Sequence, residues 1–322
     1  MQRRQFVART LAATLLCGLA MDASAQTYPN QMVKFIIPFP PGGTLDAVGR
    51  SLAQKLGEQM GQTFIVENRP GANGTIGANA VAKANPDGYT LLFNASTFTS
   101  APMTMKSVPY SVTKDFAPVA LVAKAPLSVA INKNLPVTDI KSLIAHAKTV
   151  PGGLKFAIGS TGSAGHLSTE LLRQAGNFDL MIVPYKGTGP AFQDLLGGVI
   201  DGFIDPIVGS LQFHKSGQLR VVAVTSEKRA VSLPDVPTVG ETIPGYSFYS
   251  WYGLWAPART PPEITQRLNA EVNKALAGPM RDKITQQGLE VTPGSQDDFL
   301  KFQAKEMARY QKVITEGKIH AD

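Results

Sequence analysis

The sequence predicts an α/β chain of two domains, each a mostly parallel sheet flanked by helices. Three observations predict it. From Val33 onward, short β-branched runs alternate with amphipathic helical patterns, which is the signature of parallel layers. Removing an expected leader of 25 residues from the 322 leaves 297, a length that suits two domains. Two extended stretches, Asp115 to Ala125 and Tyr246 to Ala256 (YSFYSWYGLWA), break the alternation and have the character of strands crossing between domains. With two crossings, domain 1 is discontinuous (26–122 plus 250–322), domain 2 is 123–249, and hinge closure around a ligand becomes possible.

The leader comes first. Arg3, Arg4 and Arg9 form a basic start, Leu11 to Ala20 an apolar stretch, and Ala23-Ser24-Ala25 a small-residue cleavage pattern, so residues 1–25 read as a secretory signal peptide. Arg3-Arg4-Gln5-Phe6 is also compatible with twin-arginine export, with Ala8 where that signal often has lysine; the Sec route fits as well. Either route leads to the periplasm. Cys17, the single cysteine, lies inside the leader after Leu16. A lipoprotein signal needs a small residue there, so the mature chain is expected to carry neither lipid nor disulfide nor thiolate. No later run approaches the roughly 20 apolar residues of a membrane-crossing helix.

The expected strands are Val33–Pro38, Phe64–Glu67, Thr90–Phe93, Val119–Val122, Leu127–Ile131, Lys155–Ile158, Leu180–Pro184, Gly202–Ile204 and Val221–Thr225. Between them, Leu45, Val48, Leu52, Leu56 and Met60 recur at helical spacing, as do Leu167, Leu171 and Ala175. Thr260 is placed to cap a helix opened by Pro261 and Pro262, with Ile264, Leu268, Val272 and Leu276 on one face. Ser295 and Asp298 have capping-box spacing at the start of a second long helix, whose stripe runs from Phe299 to Ile314. The sequence shows no internal repeat.

Loss of Arg3, Arg4, Arg9 and Asp22 with the leader lowers the formal charge from +7 to +5. The basic residues are dispersed, with no run of the kind that binds nucleic acid; a small anion is the better partner. Three glycine-rich segments follow strands and open helices: Phe39 to Asp46 (FPPGGTLD), Gly159 to His166 (GSTGSAGH) and Tyr185 to Pro190 (YKGTGP). Glycine admits close backbone approach, and a helix start presents free N–H groups at the positive end of its dipole. All three would lie at the carboxyl ends of strands, where open α/β sheets hold their ligands. Each also has a purely structural reading as an ordinary strand-to-helix turn. Asp46 suits either a dipole partner or an acceptor for a ligand donor. Asp205 brackets a short strand and could face the same cleft.

Other chemistries fit less well. Neither the P-loop nor G-x-G-x-x-G is present, since Phe192 occupies the last glycine position of the latter. Thr161-Gly162-Ser163-Ala164-Gly165 misses the nucleophile elbow at its first glycine, and His166 shares the same turn, whereas a catalytic histidine comes from another loop. An exported hydrolase using Ser163 is therefore the alternative function. No histidines are spaced as metal ligands.

Seven segments in order, IIPFPPGGTLDAVGR, VENRPGANGTIGA, PDGYTLL, GSTGSAGHLSTELL, VPYKGTGPA, PDVPTVGE and GLWAPARTP, resemble the substrate-binding receptors of tripartite tricarboxylate transporters, the Bug-type family. The resemblance covers essentially the whole mature chain. It implies a two-domain periplasmic binding protein, type II-like, with two crossing hinge strands and no enzymatic activity or cofactor. It further implies that a small mono- or dicarboxylate is held by backbone amides and hydroxyls without a dedicated arginine. Carried over, the first loop supplies Phe39, Pro41, Gly42, Gly43, Thr44 and Asp46, and the second Gly159, Ser160, Thr161, Ser163, Ala164 and His166. Ser96 and Thr97 match a strand-end hydroxyl segment, Tyr185 and Gly187 the third loop, and Asp205 a strand end in domain 2. The implied partner is an integral-membrane permease of that transporter class. A receptor presenting its closed form to a sensor kinase is a further alternative, and the chain is expected to be a monomer.

Overall fold

The computed structural model describes residues 28–321; the expected leader 1–25 and its cleavage site lie outside the described residues. In the first domain β1 (Val33–Ile37) leads through the first glycine loop into α1 (Thr44–Met60), which returns to β2 (Phe64–Asn68). Leu45, Val48, Leu52 and Leu56 are buried along α1 against the sheet, the face that their spacing predicts. A 3-10 turn at Ala72–Gly74 precedes α2 (Thr75–Ala82), and β3 (Thr90–Ala95) runs into α3 (Thr97–Thr104). The sequence conceals α3, because Ser and Thr compete with the helix for backbone groups. Here they bond back to it: Thr99 Oγ1 donates to Ser96 O at 2.8 Å.

Next comes a strand of 17 residues, β4 (Phe116–Asn132), where two strands are expected. The second domain follows: α4 (Ile140–Ala147), β5 (Leu154–Ile158), α5 (Ala164–Gly176), β6 (Leu180–Pro184), α6 (Thr188–Gly197), β7 (Gly202–Pro206), α7 (Ile207–Lys215) and β8 (Leu219–Val224). The buried stripe of α5 runs through Leu167 and Leu172, while Ala175, expected on it, is exposed. The chain returns through β9 (Tyr249–Pro257) to α8 (Pro262–Ala277), α9 (Pro279–Gln286), β10 (Glu290–Val291) and α10 (Gln296–Gly317).

β4 is continuous because it changes partners part-way. Residues 116–126 pair antiparallel with β9; Leu127 to Asn132 pair antiparallel with β7 and β8. The sheet therefore has ten strands but two centres. On one side the order is β2-β1-β3-β9-β4, with β1, β2 and β3 parallel and β9 antiparallel to its neighbours. On the other it is β6-β5-β7-β4-β8, with β5, β6 and β7 parallel and β4 antiparallel. Each domain thus has three parallel strands, one antiparallel crossing strand and a fifth strand beyond it; the short β10 is the tenth, antiparallel to β4 at Ala123 and Lys124. The same topology is built twice without a sequence repeat. Where the strands cross, Thr225 Oγ1 accepts from Leu127 N at 2.8 Å and donates to Phe248 O at 2.6 Å, joining the two crossing segments.

The expected capping box of α10 is present, with Ser295 and Asp298 bonded reciprocally. Thr260 does not cap α8: the helix begins after Pro261, and Thr260 Oγ1 has no partner. α9 and β10 are unforeseen; Gly278 breaks the helix and Pro279 starts the next. α10 leans on both domains. Phe299 packs against Trp251 and Trp255 in the first, while Tyr310, Val313 and Ile314 join the core of the second. Its anchors are hydrogen bonds from Trp255 Nε1 to Gln303 Oε1 and from Trp251 Nε1 to Tyr310 Oη, both 2.8 Å.

Candidate functional site

The carboxyl ends of β1, β3, β5, β6 and β7 carry the loops singled out in the sequence, and the strand order places them around the crossing. The first loop is shaped by Asp46. Gly42, at φ +94°, turns its amide onto Asp46 Oδ2 at 3.0 Å, where Arg50 Nε also donates at 2.9 Å. Asn68 Nδ2 donates to Asp46 Oδ1 at 2.9 Å and to Phe39 O at 3.0 Å. Burial alone pulls the Asp46 pKa up, but the hydrogen bonds from Arg50, Asn68 and Gly42 outweigh it, and the carboxyl sits below its ordinary value. Asp46 is thus a clamp on the loop, and it takes the Gly42 amide out of use. The open donors are at the start of α1, whose N-cap Gly43 has no side-chain cap; first-turn amides have no intrahelical acceptor. Phe39 lies over Gly74, where an added Cβ would be 3.2 Å from its ring.

In the second loop Ser163 is the N-cap of α5, its Oγ accepting from His166 N at 3.3 Å. Gly162 N donates to His166 Nδ1 at 3.1 Å, and Ser163 N to Ser160 O at 3.2 Å. Burial holds the His166 pKa down at about 4, so the ring is neutral at physiological pH. The amides without a role inside this turn are those of Ser160 and Thr161 and, at the helix start, Ala164 and Gly165. The third loop is tied to the second through Gly187 N, which donates to Gly159 O at 3.0 Å. It opens α6 at Gly187, again without a side-chain cap.

The remaining residues divide. The Asp205 carboxylate, at the end of β7, has no ion-pair partner among the described residues, and burial raises its pKa well above the ordinary range. The Tyr252 phenol, beside Ser250 and Thr44, has its pKa raised chiefly by its own burial and further by Asp205 when that carboxyl is ionised. Ser96 and Thr97 are buried instead: Ser96 is 1% exposed, its amide bonds Trp251 O, and its hydroxyl lies against Tyr310. Tyr185 donates to Asp194 Oδ2 of α6 at 2.6 Å, which ties its ring to its own helix. Pro41 is exposed at the loop tip.

Residues 48–319 match the family model described as "Tripartite tricarboxylate transporter family receptor". The chain belongs to this family. Among its relatives is BugT of Bordetella pertussis, 39% identical over 306 residues that make up 93% of each chain. Among solved structures, Rpa4515 of R. palustris with adipate is similar at a TM-score of 0.86 and 35% identity, covering 91% of this chain and 99% of that one. MatC from Rhodopseudomonas palustris with bound malate has a TM-score of 0.81 and 31% identity over 89% of this chain and 100% of that one.

For a tripartite tricarboxylate receptor the arrangement is chemically coherent. Helix starts and neutral hydroxyls stabilise an anion without the desolvation cost that a buried cation adds. The same geometry is poor for nucleophilic catalysis. Ser163 Oγ caps its own helix, and His166 Nδ1 faces an amide rather than a serine. Sequence reasoning did not single out Asn73 and Ser100, whose side chains cross from the first domain to the second loop at 2.9 and 2.7 Å. Asn73 stands in the quoted segment VENRPGANGTIGA, but nothing local marks its partner 88 residues away.

Proposed function

We propose that this chain is an exported periplasmic receptor that closes on a small mono- or dicarboxylate and delivers it to a tripartite tricarboxylate-type permease in the membrane. One observation carries the reading. The starts of α1 and α5, one from each domain, keep first-turn amides open, since Gly43 offers α1 no side-chain cap and Ser163 caps α5 only at His166 N, and both lie at the ends of strands that face a common crossing. Amides at helix starts are suited to carboxylate oxygens. In this reading the anion is held by the amides of Gly43, Thr44, Ser160, Thr161 and Ala164, with Gly187 closing the wall and Asp205 at the far end. The adipate and malate of the two structural relatives make aliphatic dicarboxylates the first probes. The domains move as residues 26–122 plus 250–322 against 123–249, with the leader 1–25 removed and the receptor acting as a monomer.

The test is to denature the purified protein, identify any released acid by mass spectrometry, refold it empty and repeat a thermal-shift screen against organic acids. Occupancy of the folded state raises the melting temperature. No released acid and no shift with any acid would sink the proposal. Ester turnover that disappears in Ser163→Ala would favour the hydrolase instead.

A further inference from the structure

The peptide groups of the Ser160–Ser163 turn can be followed one at a time. Ser160 O accepts from Ser163 N, and Gly162 N donates to the His166 ring. Two carbonyls remain, Thr161 O and Gly162 O, and both turn into the first domain. Asn73 Nδ2 donates to Thr161 O at 2.9 Å, and Ser100 Oγ donates to Gly162 O at 2.7 Å. The donors come from separate elements, the Ala72–Gly74 turn and α3. A third contact adjoins them: a Cβ on Gly162 would lie 3.0 Å from both Oγ1 and Cγ2 of Thr104. At φ +74° this position also favours glycine on backbone grounds.

Asn73 carries two costs in this arrangement. Its backbone is left-handed at φ 54°, which asparagine tolerates better than most residues, and its buried Oδ1 has no partner. An unsatisfied buried acceptor is destabilising, so its placement favours the other end of the amide, the donor that reaches Thr161.

We infer that Asn73 and Ser100 form a closure interlock, in which two donors of the first domain hold adjacent carbonyls of the second domain's anion-binding turn. A peptide's N–H points opposite to its C=O. Holding Thr161 O and Gly162 O toward the first domain therefore fixes the Gly162 and Ser163 amides inside the turn and leaves those of Ser160, Thr161, Ala164 and Gly165 for the anion. Domain closure and the anion-ready shape of the turn become one event. The purpose of the interlock rests on the receptor reading; its geometry does not. Asn73 and Ser100 are positioning residues, acting through the turn.

Without its leader the chain has no cysteine, so spin labels can be placed cleanly on exposed sites in the two domains. Suitable pairs are Lys83→Cys with Lys141→Cys and, separately, Gln54→Cys with Lys215→Cys. Distance distributions are measured on protein as purified, after refolding to strip bound acid, and with excess malate or adipate. The background variant is Asn73→Gly/Ser100→Ala, because glycine keeps the left-handed backbone and removes only the amide. The expected result is a closed-to-open ratio lowered about tenfold, from roughly threefold per neutral hydrogen bond, with the melting temperature of the ligand-free protein within about 2 °C of the parent. Asn73→Asp should open the cleft further than Asn73→Gly, since a carboxylate then faces a carbonyl.

Distributions that superimpose on the parent in every sample overturn the interlock. So does a parent with no closed population in any sample, or a closed fraction that falls only together with the melting temperature. Failure of the receptor reading shows differently, as absence of any bound or stabilising acid while the label distances still respond to the substitutions.

Discussion

Replacing Asp46 by alanine separates a loop clamp from a ligand contact. The carboxylate accepts from the Gly42 amide, Arg50 and Asn68 at 2.9 to 3.0 Å. Hydrogen bonds to a charged group contribute roughly 1.5–3 kcal/mol each when buried, but Arg50 is 49% exposed, which limits that pair to about 1 kcal/mol or less. Gly42 lies on the surface and can recover a water, so its share is also about 0.5–1 kcal/mol. With the Asn68 bond and a small dipole contribution at the start of α1, the expected destabilisation is about 2 kcal/mol at neutral pH. Denaturant unfolding measures it. The pH dependence carries a second signature. Because the folded pKa lies below the unfolded one, the stabilisation is complete above the unfolded value, about 3.9, and is lost as pH falls through the folded pKa. The deficit of Asp46→Ala should shrink over that acid range. A variant that keeps its stability but loses carboxylate affinity refutes the clamp and makes Asp46 a ligand contact.

Two glycines that look alike in the sequence should behave differently. At Gly43 an added Cβ meets nothing within 4 Å and φ is −80°, so Gly43→Ala should lower affinity while stability stays within about 0.5 kcal/mol; Gly162→Ala should cost both, which paired melting and binding curves would show. His166, held at about 4 against an ordinary 6.5, contributes stability that is complete above 6.5 and lost as pH falls toward 4. NMR titration should find its midpoint at about 4 rather than near 6.5, and His166→Gln should flatten this part of the stability profile. The raised pKa of Asp205 means that the folded state holds its proton to higher pH than the unfolded state, so stability falls as pH rises from 3.8 toward the folded value. Asp205→Asn should therefore raise the melting temperature at neutral pH; a decrease would reveal a protein donor to the carboxylate.

Much of the fold was legible because it is written in local patterns. The alternation of β-branched runs with the stripe Leu45, Val48, Leu52, Leu56 follows from periods of two and 3.6 residues, and the Ser295–Asp298 capping box from a spacing of three. The glycine loops announced helix starts for the same reason. α3 escaped because its hydroxyls satisfy the helix only when the surrounding chain confines them. The single strand β4 escaped because the apolar runs Val119–Val122 and Leu127–Ile131 stand apart in the sequence, and only the partners β9, β7 and β8 make them one strand.

The sequence by itself thus determined the layers, the glycine-led helix starts and, through seven ordered segments, the family. The tertiary structure alone decided that one topology is built twice around a shared strand, that Asp46 removes the Gly42 amide from the site, and that Asn73 and Ser100 reach the second loop. Those decisions rest on hydrogen bonds between groups that only the strand order brings together, in the last case 88 and 62 residues apart. A periodic pattern encodes which face of an element is buried; it does not encode which distant backbone carbonyl a side chain will meet.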